Sequence, residues 1–164
     1  MSRRRRSTEE GHQRKFLVVI DDTEECDTAL YFGSRRAARS GGGLILLTVI
    51  PPADFQHWMG VEQIMREEAM EEATALMERS GEKARTYAGI EPETVIREGY
   101  AAEEIQGLVD EDEDIAILVL GAGTGKEGPG PLVSLFATRS ATALPVPVTI
   151  VPGNLSHEEL EALT

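Results

Sequence analysis

Five short β-rich runs alternate with helical stretches along this chain, and those at residues 16–20 (FLVVI), 44–50 (LILLTVI) and 115–120 (IAILVL) are continuously apolar rather than alternating. A strand with one solvated face alternates in polarity, whereas one covered by helices on both faces does not. With the runs at 94–97 and 146–151 the order reads β-α-β-α-β-α-β-α-β. The length of 164 residues suits one core and is short for two. The fold expected is therefore α/β: a single-domain, five-stranded parallel, doubly wound (Rossmann-like) sheet with helices on both faces.

The first helix is expected over about 24–39, stopped by Gly41, Gly42 and Gly43, with Ala29, Gly33 and Ala37 at four-residue spacing forming a face small enough to sit close to a sheet. The second spans about 61–85, with Val61, Met65, Ala69, Ala73, Leu76 and Met77 on one stripe and Glu67, Glu68, Glu71 and Glu72 around the rest. The third buries Ala101, Ile105, Leu108 and Val109. The fourth, about 131–143, offers Leu132, Leu135 and Phe136. Pro145 and Pro147 then end the helix and open the last strand, where a missing N–H is tolerable.

Residues 1–15 read as a disordered basic arm, 16–152 as the folded domain and 153–164 as an acidic tail. The arm carries six basic residues against Glu9 and Glu10; removing its net +4 from the chain's −13 leaves the body at −17, which repels nucleic acid. The apolar runs are far shorter than the ~20 residues of a membrane-spanning helix, so no bilayer crossing is expected. Arg3, Arg4, Arg5 and Arg6 look like the start of an export signal, but no apolar segment follows as such a signal requires. A single cysteine, Cys26, excludes an internal disulfide and fits a cytoplasmic location.

Ligands of doubly wound sheets gather beyond the carboxyl ends of the strands. There lies Asp21, whose carboxylate can accept hydrogen bonds from a ribose or base, beside Thr23, a candidate N-cap. At the same edge, residues 121–130 (GAGTGKEGPG) hold five glycines in ten, so that Gly121, Gly123 and Gly125, with Thr124, can bring backbone N–H groups to an anion, and Lys126 adds a cation. The stretch reads equally as a flexible surface turn. It is not a P-loop, since GxxxxGK[ST] is absent, nor is there a GxGxxG with an acidic residue about twenty positions on. His12, His57 and His157 are scattered, no metal spacing exists, and Cys26 reads as a small buried or half-buried side chain, so no catalytic constellation emerges and an enzyme is not expected. The loop at 51–60 carries Phe55, His57 and Trp58, aromatic-type side chains able to fold over an apolar ring.

FLVVIDDTEECDTAL, LILLTVIPP, IREGYAAEEIQGLVDEDEDIAILVLGAG and ATALPVPVTIVP resemble, in order and spacing, the strands and loops of the universal stress protein family over about residues 16–152. The resemblance implies that adenine and ribose would be held by Asp21 and Val49, and phosphates by a pattern G-x2-G-x9-G-[ST] after the fourth strand. Here Gly121 fits, while Thr124, Ser134 and Leu135 stand at the other three positions. Gly123 and Gly125 flank the second position and Ser134 brings a hydroxyl beside the last. The family further implies a homodimer paired through the last strand, residues 146–151 (VPVTIV), an apolar edge of the kind that invites pairing. The expected function is a non-catalytic stress-response domain with a degenerate site for ATP or another adenine nucleotide, acting by dimerisation and by partner or ligand binding. Two alternatives remain: an ATP-binding switch with little or no hydrolysis, and a pure interaction protein, with an unknown protein partner and no small ligand.

Overall fold

The computed structural model describes residues 4–52, 59–138 and 144–164. The elements run β1 (Lys15–Val19), α1 (Glu25–Arg39), β2 (Gly43–Ile50), α2 (Met59–Ala88), β3 (Glu93–Glu98), α3 (Ala101–Glu111), β4 (Ile115–Ala122), α4 (Pro131–Phe136), β5 (Val148–Pro152) and α5 (His157–Leu163). All four strand pairings are parallel, in the order β3-β2-β1-β4-β5. The doubly wound sheet is thus as the apolar runs require, with its reversal of winding between β1 and β4.

Both faces are covered. Phe16, Val18 and Ile20 of the first run point, with Leu44, Leu46 and Val119, toward α1, the second half of α2 and α5. Leu17 and Val19 point with Ile45, Leu47 and Leu118 toward α3 and α4. A register shift between Lys15 and Phe16, opposite Ile115 and Ile117, leaves Ala116 as an extra residue in β4. That bulge is why Ile115 and Leu118, an odd number apart, share one face. The small face of α1 does what its composition predicts: Ala29 and Ala37 are fully buried, and a Cβ at Gly33 would stand 2.5 Å from a methyl of Val18.

Three expectations are corrected. The apolar stripe of α2 is buried only in its second half, at Ala73, Met77 and Ala84, while Val61, Ile64, Met65 and Met70 are exposed. A 30-residue helix is about 45 Å long and the eight-residue β2 about 26 Å, so the early turns of α2 overhang the sheet. The acidic tail is a helix instead. Ser156 and Glu159 form a reciprocal capping box, and Leu160 is fully buried against α1. Lastly, the segment read as a disordered arm is tied down from its described start: the Arg5 guanidinium donates to the carbonyls of Val109 (2.7 Å) and Asp112 (3.0 Å), and the Arg6 N–H donates to the Glu113 carbonyl. The last turn of α3 has no basic residue of its own, and Arg5 supplies the missing positive charge to its terminal carbonyls. His12 adds a 2.6 Å contact to Asp114.

Helix α5 is held by a knot around Asp27 of α1. Tyr87 Oη (2.6 Å) and Lys83 Nζ (3.3 Å) donate to Asp27, and His157 Nε2 lies 2.9 Å from it. The His157 ring stacks on Tyr31 with centroids 4.2 Å apart.

Candidate functional site

At the carboxyl edge of the sheet three connected hollows surround the end of β1. The largest, about 590 Å³, lies between the ends of β1 and β2 and the middle of α2, lined by Asp21, Asp22, Thr48, Val49, Ile50 and Pro51 on one wall and by Ala69, Ala73, Leu76 and Arg79 on the other. That volume is within the ~300–1,000 Å³ usual for small-molecule sites. A narrow slot of about 110 Å³ runs from Asp21 and Thr23 past Glu25 to Gly121 and to Pro129 through Val133. The third, about 410 Å³, is the recess of the glycine loop, lined by Glu24, Glu25, Gly123, Thr124, Gly125, Lys126 and Gly153.

Local chemistry fixes this edge. Ile20 continues β1 by donating to the Leu47 carbonyl at 2.7 Å, which carries the chain to Asp21 at the mouth. The Asp21 carboxylate accepts from the Thr23 N–H at 2.9 Å and from the Thr23 hydroxyl, so Thr23 donates to Asp21 rather than capping α1. The N-cap position falls to Glu24, without a side-chain cap. Behind the mouth the Asp21 N–H donates to Cys26 Sγ at 3.4 Å. Burial pushes the Cys26 thiol up to about 12, so it stays protonated and un-nucleophilic at neutral pH.

The glycine loop owes its shape to close approach more than to unusual torsions. A Cβ at Gly121 would stand 2.3 Å from the Glu25 carbonyl oxygen, and one at Gly123 would stand 2.8 Å from the Gly128 carbonyl oxygen. Positive φ falls later, at Gly128 (85°) and Gly130 (103°), and not at Gly121, Gly123 or Gly125 as a cradle of inward N–H groups suggested. The loop closes on itself instead: Gly123 donates to Pro129 and Gly128 to Gly125.

The structure therefore brings Asp21 together with Val49 in the large cleft and with Gly121 in the slot, and places Gly123, Thr124 and Gly125 in the adjoining recess. Ser134 is not among the residues lining any of the three; it is exposed on α4, directly after Val133 of the slot. Residues 55–58, read as a lid, lie outside the described residues. Sequence reasoning missed Thr48, Arg79 and Glu25. Thr48 was legible as the lone polar side chain in an apolar strand, and Arg79 as the residue one turn beyond Leu76 on the same face. Among the described residues no group of His, Cys, Asp and Glu side chains is arranged to hold a metal, and no helix is long and apolar enough to cross a membrane.

Comparison with known proteins bears on this geometry. The family model for the universal stress protein family matches residues 13–152. No curated protein matches. Among solved structures, the universal stress protein UspA from Lactobacillus plantarum superposes with a TM-score of 0.70 at 18% identity, over 85% of this chain and 97% of that one. The universal stress protein from Archaeoglobus fulgidus in complex with dAMP gives a TM-score of 0.62 at 18% identity, over 84% and 97%. A universal stress protein in complex with cAMP gives 0.62 at 17%, over 87% and 98%. At these identities the superpositions establish the fold.

Proposed function

This chain belongs to the universal stress protein family, and we propose that it is a non-catalytic cytoplasmic stress-response domain that binds an adenine nucleoside or nucleotide between the ends of β1 and β4, and pairs with a second copy through β5. One observation carries the reading: Asp21 lines both the large cleft beside Val49 and the slot that leads to Gly121. A single carboxylate thus stands where a ribose would lie when a purine ring occupies the cleft and its 5′ substituent points to the glycine loop. Val49, Ile50 and Leu76 offer apolar surface to the ring, and Thr48 and Arg79 offer polar contacts at its rim. Relatives of the same fold in complex with cAMP and dAMP support an adenine compound.

The non-catalytic reading is supported by the described cysteine and histidines. The thiol nearest the cleft is held protonated, His12 faces Asp114 at the opposite edge of the sheet, and His157 is engaged with Asp27 and Tyr31. None of these stands in the three hollows as a base or nucleophile.

Calorimetric titration with adenosine and AMP tests the site. Binding should be detectable, and Asp21→Ala should weaken it about ten- to hundredfold, the worth of a hydrogen bond to a charged group. Gly123→Val, which drives a side chain into the Gly128 carbonyl, should weaken it as well. If both variants remain folded by circular dichroism and bind as the parent does, the ligand lies elsewhere.

A further inference from the structure

Resting on the adenine-compound reading above, we infer that the glycine-loop end of this cleft selects against polyphosphate, so that the ligand is a nucleoside or nucleoside monophosphate and Glu25 is the residue that enforces the choice. Glu25 is wedged in place by three glycines from two other parts of the chain. A Cβ at Gly121 would collide with its carbonyl oxygen at 2.3 Å, one at Gly153 with its own Cβ at 2.5 Å, and the Cβ position of Gly123 lies 3.4 Å from its Oε1. Its side chain therefore stands between the slot and the recess, and it lines both.

A phosphate chain extending from a ribose at Asp21 would run past that carboxylate into a recess where Glu24, Glu25 and Glu127 face the single cation Lys126. Phosphate oxygens accept hydrogen bonds and so do carboxylates, whereas ribose hydroxyls donate to them. The lining suits the sugar and opposes the chain. The loop's own donors compensate only in part, because Gly123 N–H is given to Pro129 and Gly128 N–H to Gly125, and Pro129 and Pro131 have none to give. The positive end of α1 is already met by Glu25 and Asp27 in its first turn, with the Cys26 and Asp27 N–H groups bonded to the Thr23 and Glu24 carbonyls. Even with water-like screening, a like charge about 6 Å away costs roughly threefold in affinity.

The test is a calorimetric series of adenosine, AMP, ADP and ATP, measured once in excess magnesium and once in chelator. Affinity should fall from AMP to ATP in both conditions, by about threefold or more per added phosphate. Glu25→Gln, which keeps the wedged Cβ and removes the charge, should raise ATP affinity about three- to tenfold and leave adenosine within about twofold. Glu24→Gln repeats the test at a neighbouring exposed position. Glu10→Gln, the same charge change in the segment before β1 at the far edge of the sheet, should leave the series unaltered. ATP binding as tightly as AMP in either condition, or an ATP-to-adenosine ratio that Glu25→Gln and Glu24→Gln do not move, overturns the selectivity while the adenine reading stands. If no adenine compound binds, both fall.

Discussion

Asp27 shows how one side chain can join parts of a chain that are far apart. Burial alone would raise its pKa, but the hydrogen bonds from Tyr87, His157 and Lys83 outweigh it and hold the carboxyl below the ordinary carboxylate range. The folded state then binds this proton less tightly than the unfolded chain does. Its stabilisation is complete above the unfolded value of about 3.9 and is lost as pH falls through the lowered folded value. Asp27→Asn should therefore cost about 1 kcal/mol at neutral pH, allowing for the partial exposure of the group, and progressively less as pH falls below the unfolded value. Parallel urea titrations of the two proteins from pH 7 to pH 2.5 check this; a constant gap across the range would mean that Asp27 acts by shape alone. Glu25, two positions earlier, was not legible in the sequence. Its place depends on glycines at 121, 123 and 153, and nothing local to Glu25 announces them. Asp21 and Val49 were legible because the ends of parallel strands β1 and β2 must lie side by side.

At the scale of elements, the strands followed from unbroken apolar runs and α1 from its small-residue spacing. Helix α2 did not follow as fully, because periodicity marks an apolar stripe without saying how far the sheet beneath it reaches. Helix α5 was announced by Ser156 and Glu159 at capping-box spacing, but its acidic composition read as a tail. Its one buried anchor carries the packing: Leu160→Ala should destabilise the domain by about 2–5 kcal/mol, as for other fully buried leucines. Exposed Leu163→Ala should cost less than about 0.5 kcal/mol. Equal effects of the two, by thermal or urea unfolding, would show that α5 does not dock through Leu160.

For the whole molecule, the strand order leaves β5 at one edge of the sheet, with Ile150 40% exposed on it. An apolar edge with unpaired backbone groups favours pairing with a second copy about a twofold axis. The protein should sediment as a dimer at micromolar concentration, and Ile150→Lys should shift it toward monomer without unfolding it. A parent protein that sediments as monomer removes the dimer from the proposal.

The central place of β1 also governs the order in which the fold can be assembled. Its partner on one side, β2, follows within a few tens of residues, but β4 begins only at Ile115. At about 5–20 residues per second of synthesis, roughly 5–20 s separate the appearance of β1 from that of β4. During that interval Leu17, Val18 and Val19, all buried in the finished domain, have an open flank. The nascent chain thus carries β1 with one flank unprotected while the ribosome is still translating, and closure of the sheet waits on residues encoded about a hundred codons downstream.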